Sequence, residues 1–148
     1  MPWLVFLAVA LGIGLSIAWR FRPRIRIPEF DRKALRMEVL NACGEPKVAG
    51  AVRDELQNRG YNVYSTGTAP ERRERTTVVD LRDPAGANAQ LVARVMGLEA
   101  QRRIWDIPLG SPIPPVAEVA LDSARYLELR LVVGSDWRQF FPHSEPLR

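Results

Sequence analysis

The sequence predicts an α+β protein: a single βαββαβ sandwich with an antiparallel sheet, preceded by one N-terminal transmembrane helix. Two observations predict this fold class. An uncharged apolar run occupies residues 2–19, and the remainder of the 148-residue chain alternates strand-like segments with two amphipathic segments of helical period. The length allows one domain with a core of its own, not two.

The apolar run reads PWLVFLAVALGIGLSIAW, and at ~1.5 Å per residue it spans ~27 Å as a helix, close to the thickness of a bilayer core. Trp3 and Trp19 lie at its two ends, where aromatic rings favour the membrane interface. We therefore expect residues 2–19 to be a membrane anchor with the lipid bilayer as partner. Two alternatives remain: a cleaved signal peptide, although no Lys or Arg precedes the run, and a buried soluble helix.

The positive charge of the chain is concentrated directly after the apolar run. Residues 20–36 hold seven Arg and Lys against two acids, a net +5, whereas the whole chain is +4. The predicted domain is thus nearly neutral, which argues against a nucleic-acid partner. Prolines keep residues 20–33 extended as a juxtamembrane stem. Four arginines of this stem suit lipid phosphates: Arg20, Arg22, Arg24 and Arg26.

The first half of the domain, predicted over residues 34–138, follows from residue spacing. Residues 37–40 predict a strand. A helix follows over 46–59, with a proline in its first turn, an apolar stripe of helical period and a glycine just past its end. Aromatic and branched residues predict a second strand over 61–65 and a third over 76–81.

The second half contains the clearest strand of the chain. A helix is predicted over 85–96, and a short edge strand over 103–107. Residues 108–115 hold four prolines and are excluded from regular structure. The last strand is predicted over 126–133, because four apolar residues alternate there with Glu128, Arg130 and Val132: Leu127, Leu129, Leu131 and Val133. Residues 139–148 are expected to form a frayed tail.

Residues that carry catalytic or metal chemistry are scarce. The chain has one cysteine and one histidine, no phosphate-binding loop, no dinucleotide glycine fingerprint and no cluster of metal ligands. We therefore expect no enzyme activity, no cofactor and no metal. Cys43 lies just before a predicted helix, which would favour a reactive thiolate; the alternative is a small residue filling a tight turn.

Four short motifs resemble the C-terminal domain of the LytR/CpsA/Psr family. They are VLNACG at 39–44, Leu56 followed by GYNV at 60–63, TTVVD at 76–80, and LVVGSDW at 131–137. Their order and spacing cover most of the chain after the stem. The sequence departs from the family pattern at Ala42, where a glycine is common, and in the Pro-rich insert at 108–115.

The resemblance implies an accessory, envelope-associated domain without the catalytic ligase domain of full-length family members. It therefore implies a membrane-anchored, non-catalytic envelope protein whose C-terminal domain binds cell-wall polymer, either peptidoglycan or an attached glycopolymer. The alternative is an interaction module that docks onto another membrane or envelope protein. The resemblance is an analogy of fold and family, not a site argument.

Three pairs of residues are candidate binding contacts: Asn41 with Gly44, Arg72 with Arg73, and Asp136 with Trp137. The first pair could hold an anion or sugar at a helix start, or could simply form a turn. The second pair could contact anionic wall polymers, or could be a solvated loop. In the third pair the indole could stack on a sugar, or it could pack on the sheet while the carboxylate caps a turn.

Two features of the sequence predict opposite sides of the membrane for the domain. Arginines directly after an anchor favour a cytoplasmic location for the domain, by the positive-inside rule. The family resemblance favours the extracytoplasmic side, where the wall is. We expect an extracytoplasmic domain on a single-pass protein of the cytoplasmic membrane.

Overall fold

A computed structural model describes residues 31–98, 116–124 and 126–145 of the chain. Several predictions lie outside these residues: the anchor over 2–19 with Trp3 and Trp19, the four stem arginines, the edge strand over 103–107 and the Pro-rich segment 108–115. No helix within the described residues is both long and apolar enough to span a bilayer.

Five strands, two α-helices and one 3₁₀ turn form the described part of the domain. They are β1 (Arg36–Asn41), α1 (Val48–Asn58), β2 (Asn62–Thr68), β3 (Thr77–Asp80), α2 (Ala87–Val95), β4 (Ala117–Val119), β5 (Leu129–Val133) and the 3₁₀ turn Trp137–Gln139. Each predicted strand and helix within the described residues is present, with ends shifted by a few residues. β4 is not among the predicted strands.

The sheet is mixed, and the predicted antiparallel sheet is wrong. The strand order is β2-β1-β5-β3-β4. β1 pairs in parallel with both β2 and β5, and β3 pairs in parallel with β4; only β3 and β5 are antiparallel. The physical reason is the crossover: α1 joins β1 to β2 and α2 joins β3 to β4, and a strand that returns through a helix runs parallel to its predecessor.

Both helices pack on one face of this sheet, as predicted. Strand register aligns Met37 with Leu129 and Val39 with Leu131, and Leu131 also lies opposite Val78 of β3. The helices contribute buried residues of their inner faces to the same core cluster. The fully buried side chains of these strands and helices include Val39, Val52, Leu56, Val78, Val92, Leu129 and Leu131.

The opposite face of the sheet carries no helix from the described residues and holds a smaller apolar cluster around Val79, Leu81 and Val132. An ion pair joins the buried Glu38 of β1 to the half-buried Arg130 of β5, which lie directly opposite each other. This face is called the open face below, because no described helix covers it.

The segment after the 3₁₀ turn belongs to the core, so the expected frayed tail is wrong over its described part. Phe140 and Phe141 are buried against the sheet and α1. Arg59 donates a hydrogen bond to the Phe140 carbonyl, and the buried Ser144 hydroxyl donates one to Glu55. Burial of the two phenylalanine rings and these hydrogen bonds hold the segment on the domain although Pro142 interrupts regular structure.

Candidate functional site

The six predicted binding residues meet at one end of the sheet, the carboxyl end of β1 and β5. These strands are parallel, so Asn41 at the end of β1 lies opposite Val133 at the end of β5. The loop from β2 to β3 crosses the ends of β1 and β5. The Arg73 amide donates a hydrogen bond to the Ala42 carbonyl, and the Ser135 amide donates one to the Arg73 carbonyl.

Asn41 and Gly44 form the turn that leads into α1. The Asn41 carboxamide accepts a bond from the Cys43 amide at 3.1 Å and donates one to the Glu45 carbonyl at 2.6 Å. Gly44 has φ +82°, a conformation that favours glycine. A Cβ atom there would lie 2.8 Å from the guanidinium carbon of Arg72. Both residues thus have a turn-forming role in this geometry.

Asp136 and Trp137 are likewise engaged internally. One carboxylate oxygen of Asp136 accepts hydrogen bonds from both the backbone amide and the hydroxyl of Thr76, each 2.7 Å long. The indole of Trp137 is 1% exposed, and the Arg138 guanidinium lies 4.5 Å from its ring centre. Glu45 holds Arg138 with two bonds, and these bonds lower the pKa of Glu45 below its usual value. This geometry leaves Trp137 no open ring face for a sugar.

Arg72 and Arg73 differ in their surroundings. Arg73 is half-buried and pairs with Glu118 of β4 at 2.9 Å. Arg72 is exposed, with its guanidinium over the Gly44 backbone. The carboxyl end of the sheet is therefore mainly a junction of loops, in which only Arg72 of the six is an exposed charged side chain.

A groove lies at the opposite end of the open face, where β1 begins. Its volume is about 400 Å³. Two of its lining residues are strongly exposed aromatic residues: Tyr64, 76% exposed, and Tyr126, 80% exposed. The remaining lining residues are Arg36, Ser65, Ala124 and Leu127.

A bulge positions Tyr64. Val63 lies opposite Met37, but the next residue of β1, Glu38, lies opposite Ser65, so Tyr64 is the extra residue of β2. Such a bulge re-aims one side chain and increases the local twist of the strand. Tyr126 comes from a different element, the segment that leads into β5. The groove therefore forms only when the parallel pairing of β1, β2 and β5 is complete.

An ion pair fixes the wall of the groove. The guanidinium of Arg36 donates to both carboxylate oxygens of Glu128, at 2.7 and 3.2 Å, and the Arg36 amide donates to the same carboxylate at 2.8 Å. These bonds raise the pKa of Arg36 and lower the pKa of Glu128. The wall is thus polar but electrically balanced, which suits hydroxyl groups better than a strongly charged ligand.

Sequence reasoning missed the groove. Tyr64 and Tyr126 are read from the sequence only as strand-forming residues, and their exposure depends on a bulge and on a pairing between distant segments. Alternation along β2 does indicate that Tyr64 points away from the buried Val63. Among the described residues, no group of His, Cys, Asp and Glu is arranged to hold a metal ion.

Comparison with known proteins gives one family. The family model described as LytR cell envelope-related transcriptional attenuator matches residues 34–137. No curated protein and no solved structure matches the chain. The matched residues run from just before β1 to the first residue of the 3₁₀ turn, which is most of the chain and nearly all of the described domain. The chain therefore belongs to the LytR C-terminal family and carries its cell envelope-related accessory domain.

Proposed function

We propose that this protein is a membrane-anchored, non-catalytic envelope protein whose domain binds a wall polymer, peptidoglycan or an attached glycopolymer, in the groove between Tyr64 and Tyr126. The observation that carries the proposal is the pair of exposed tyrosine rings flanking one groove. Amphipathic rings next to a few polar groups are the usual composition of a small-molecule site.

The groove chemistry favours saccharide units over anions. Ring faces match the apolar faces of sugars, while the Ser65 hydroxyl and the Arg36–Glu128 pair can exchange hydrogen bonds with sugar hydroxyls. Because Glu128 balances the charge of Arg36, a phosphate or carboxylate gains little there. We therefore expect the neutral sugar backbone of the polymer to be the bound part.

The binding prediction uses the fragment 31–148, which retains the whole described core because its members lie between residues 35 and 141. The fragment should sediment with insoluble cell wall, and the double variant Tyr64→Ala, Tyr126→Ala should bind about tenfold more weakly. The two rings would supply most of the apolar contact with the sugar, and a loss of ~60 Å² of buried apolar area at ~25 cal/mol per Å² corresponds to about that factor. The readout is the bound fraction against wall concentration.

Leu121→Ala is the matched control, because Leu121 is 62% exposed and is not part of the groove lining. This variant should bind the wall like the parent, and thermal melts should verify that all three proteins are folded. Equal sedimentation of the parent and the double variant would contradict the groove. A parent that stays in solution would contradict wall binding and favour the alternative, docking onto another envelope protein.

The proposed extracytoplasmic location has its own test. Cys43 is only partly exposed, so the reporter is Glu71→Cys, an exposed loop position, in a Cys43→Ala background. A membrane-impermeant maleimide should label this cysteine in intact cells, after permeabilisation of any outer membrane. Labelling only after lysis would contradict this location, and the domain would then have no wall within reach.

A further inference from the structure

Exposed large apolar side chains of the described residues are confined to one end of the sheet. They are Tyr64, Val119, Leu121 and Tyr126. Backbone bonds align their segments across the strands, because the Asp122 amide donates to the Leu81 carbonyl and the Leu81 amide to the Glu128 carbonyl. The Glu128 amide in turn donates to the carbonyl of Arg36, the first residue of β1. This end is called the entry end, because β1 begins there.

Part of the entry end is an apolar corner formed by residues 84–85 and 119–121. All five of these residues, Pro-Ala and Val-Ala-Leu, are exposed and none is charged. The two stretches meet where Val119 packs against Gly86, since a Cβ atom on that glycine would lie 2.9 Å from the Val119 side chain. The carboxylate of Asp83 is directed at the amides of Ala85 and Ala87, so it caps α2.

The chain enters the domain at this same end. The Asn62 side-chain amide donates a hydrogen bond to the backbone carbonyl of Lys33, and the Arg32 guanidinium donates one to the backbone carbonyl of Arg59. These contacts tie the first described residues to the end of α1 and to the start of β2. Eleven residues, 20–30, separate them from the predicted anchor, a reach of at most ~40 Å at ~3.6 Å per residue. The entry end is therefore the end at which a membrane-anchored chain would tether the domain.

We propose that the apolar corner, with Leu121 at its tip, inserts into the interfacial region of the membrane that holds the anchor. This inference rests on the anchor in the proposed function. The carboxylates next to the corner accept backbone amides: Asp83 those of Ala85 and Ala87, and Asp122 that of Ala124. The apolar side chains of the corner gain free energy on leaving water for the headgroup boundary, and a short tether raises their effective concentration at the surface. A neighbouring basic stem would strengthen the contact with anionic headgroups.

Insertion of the corner would also set the position of the groove relative to the membrane. Tyr64 and Tyr126 lie at the entry end too, so an inserted corner holds the groove close to the bilayer surface. The exposed Arg72, at the opposite end of β1, then points away from the membrane. The domain would take up one orientation instead of tumbling on its tether, and a polymer would bind it beside the membrane.

The test places a fluorophore on the full chain in vesicles of phosphatidylethanolamine and phosphatidylglycerol. Two single-cysteine versions, both with Cys43→Ala, carry an NBD dye at Ala120→Cys in the corner or at Glu71→Cys in the far loop. Flotation first verifies that the chain is in the membrane. We expect blue-shifted emission at 120, quenched by spin-labelled lipid, and water-like emission at 71. Adding Leu121→Asp should reverse the shift at 120.

The outcomes separate the two proposals. If the chain floats but both dyes report water, the corner does not insert, while the anchor stands. A blue shift at 120 without quenching by lipid would also overturn the inference, because a protein surface would then cover the corner. A chain that does not float contradicts the anchor and the inference together. Wall sedimentation of the fragment 31–148 is unaffected by any of these results.

Discussion

Leu129→Asp is expected to leave the domain unfolded. Leu129 is fully buried in β5, the central strand, and lies opposite Met37 on one side and Asp80 on the other. The new carboxylate would be buried without a partner, beside the existing carboxylate of Asp80, because directly paired residues of a ladder point to the same face. The cost, several kcal/mol, is a large part of the total stability of a small domain.

Circular dichroism and a thermal melt measure this effect. Tyr126→Asp is the matched control, because it introduces the same charge three residues earlier at a position that is 80% exposed. The control should melt like the parent, whereas Leu129→Asp should show no cooperative transition. A melt of Leu129→Asp at the parent temperature would mean that the core described for this sheet is wrong.

Asp80→Ala is expected to be the second most damaging of these changes. Asp80 is fully buried at the end of β3, and its carboxylate accepts bonds from three backbone amides: Arg82 at 3.1 Å, Asp83 at 2.8 Å and Ala89 at 3.2 Å. The carboxylate thus joins the strand end to the start of α2. Alanine leaves these donors without their acceptor, and each such loss costs about 1–3 kcal/mol.

We expect about 3 kcal/mol or more of lost stability for Asp80→Ala, measured by denaturant unfolding. Asp80→Asn, which keeps one acceptor oxygen, should lose less. Asp83→Ala is the comparison, since Asp83 also caps α2 but lies nearer the surface, and it should cost only ~1 kcal/mol. Equal effects of the two alanine substitutions would contradict the role assigned to the buried carboxylate.

Local sequence signals predict the strands, the helices and the core, because each depends on spacing within one segment. The period of α1 places Val52 and Leu56 on its inner face, and alternation along β5 places Leu129 and Leu131 inward; both patterns are present in the structure. The antiparallel direction predicted for the strands is wrong for three of the four strand pairs, although strand–helix–strand order favours parallel pairing. The insertion of β5 between β1 and β3 depends on contacts that no single segment encodes.

The candidate site was harder to predict for a related reason. Asn41, Gly44 and Asp136 are residue types that suit both turns and ligands, and in this fold they bond to neighbouring backbone or to Thr76. The groove instead combines Tyr64, re-aimed by a bulge, with Tyr126 from a segment more than sixty residues away. Only the folded sheet brings these two rings together.

The most direct test of groove binding is an NMR titration of tyrosine-labelled fragment 31–148 with soluble, uncrosslinked wall glycan. The chain has three tyrosines, and Tyr61 is buried in the core, so it serves as an internal reference. We predict that ring signals of Tyr64 and Tyr126 shift in proportion to bound glycan while those of Tyr61 stay in place. Unchanged Tyr64 and Tyr126 signals, at soluble-glycan concentrations that displace the fragment from insoluble wall, would contradict the proposed site.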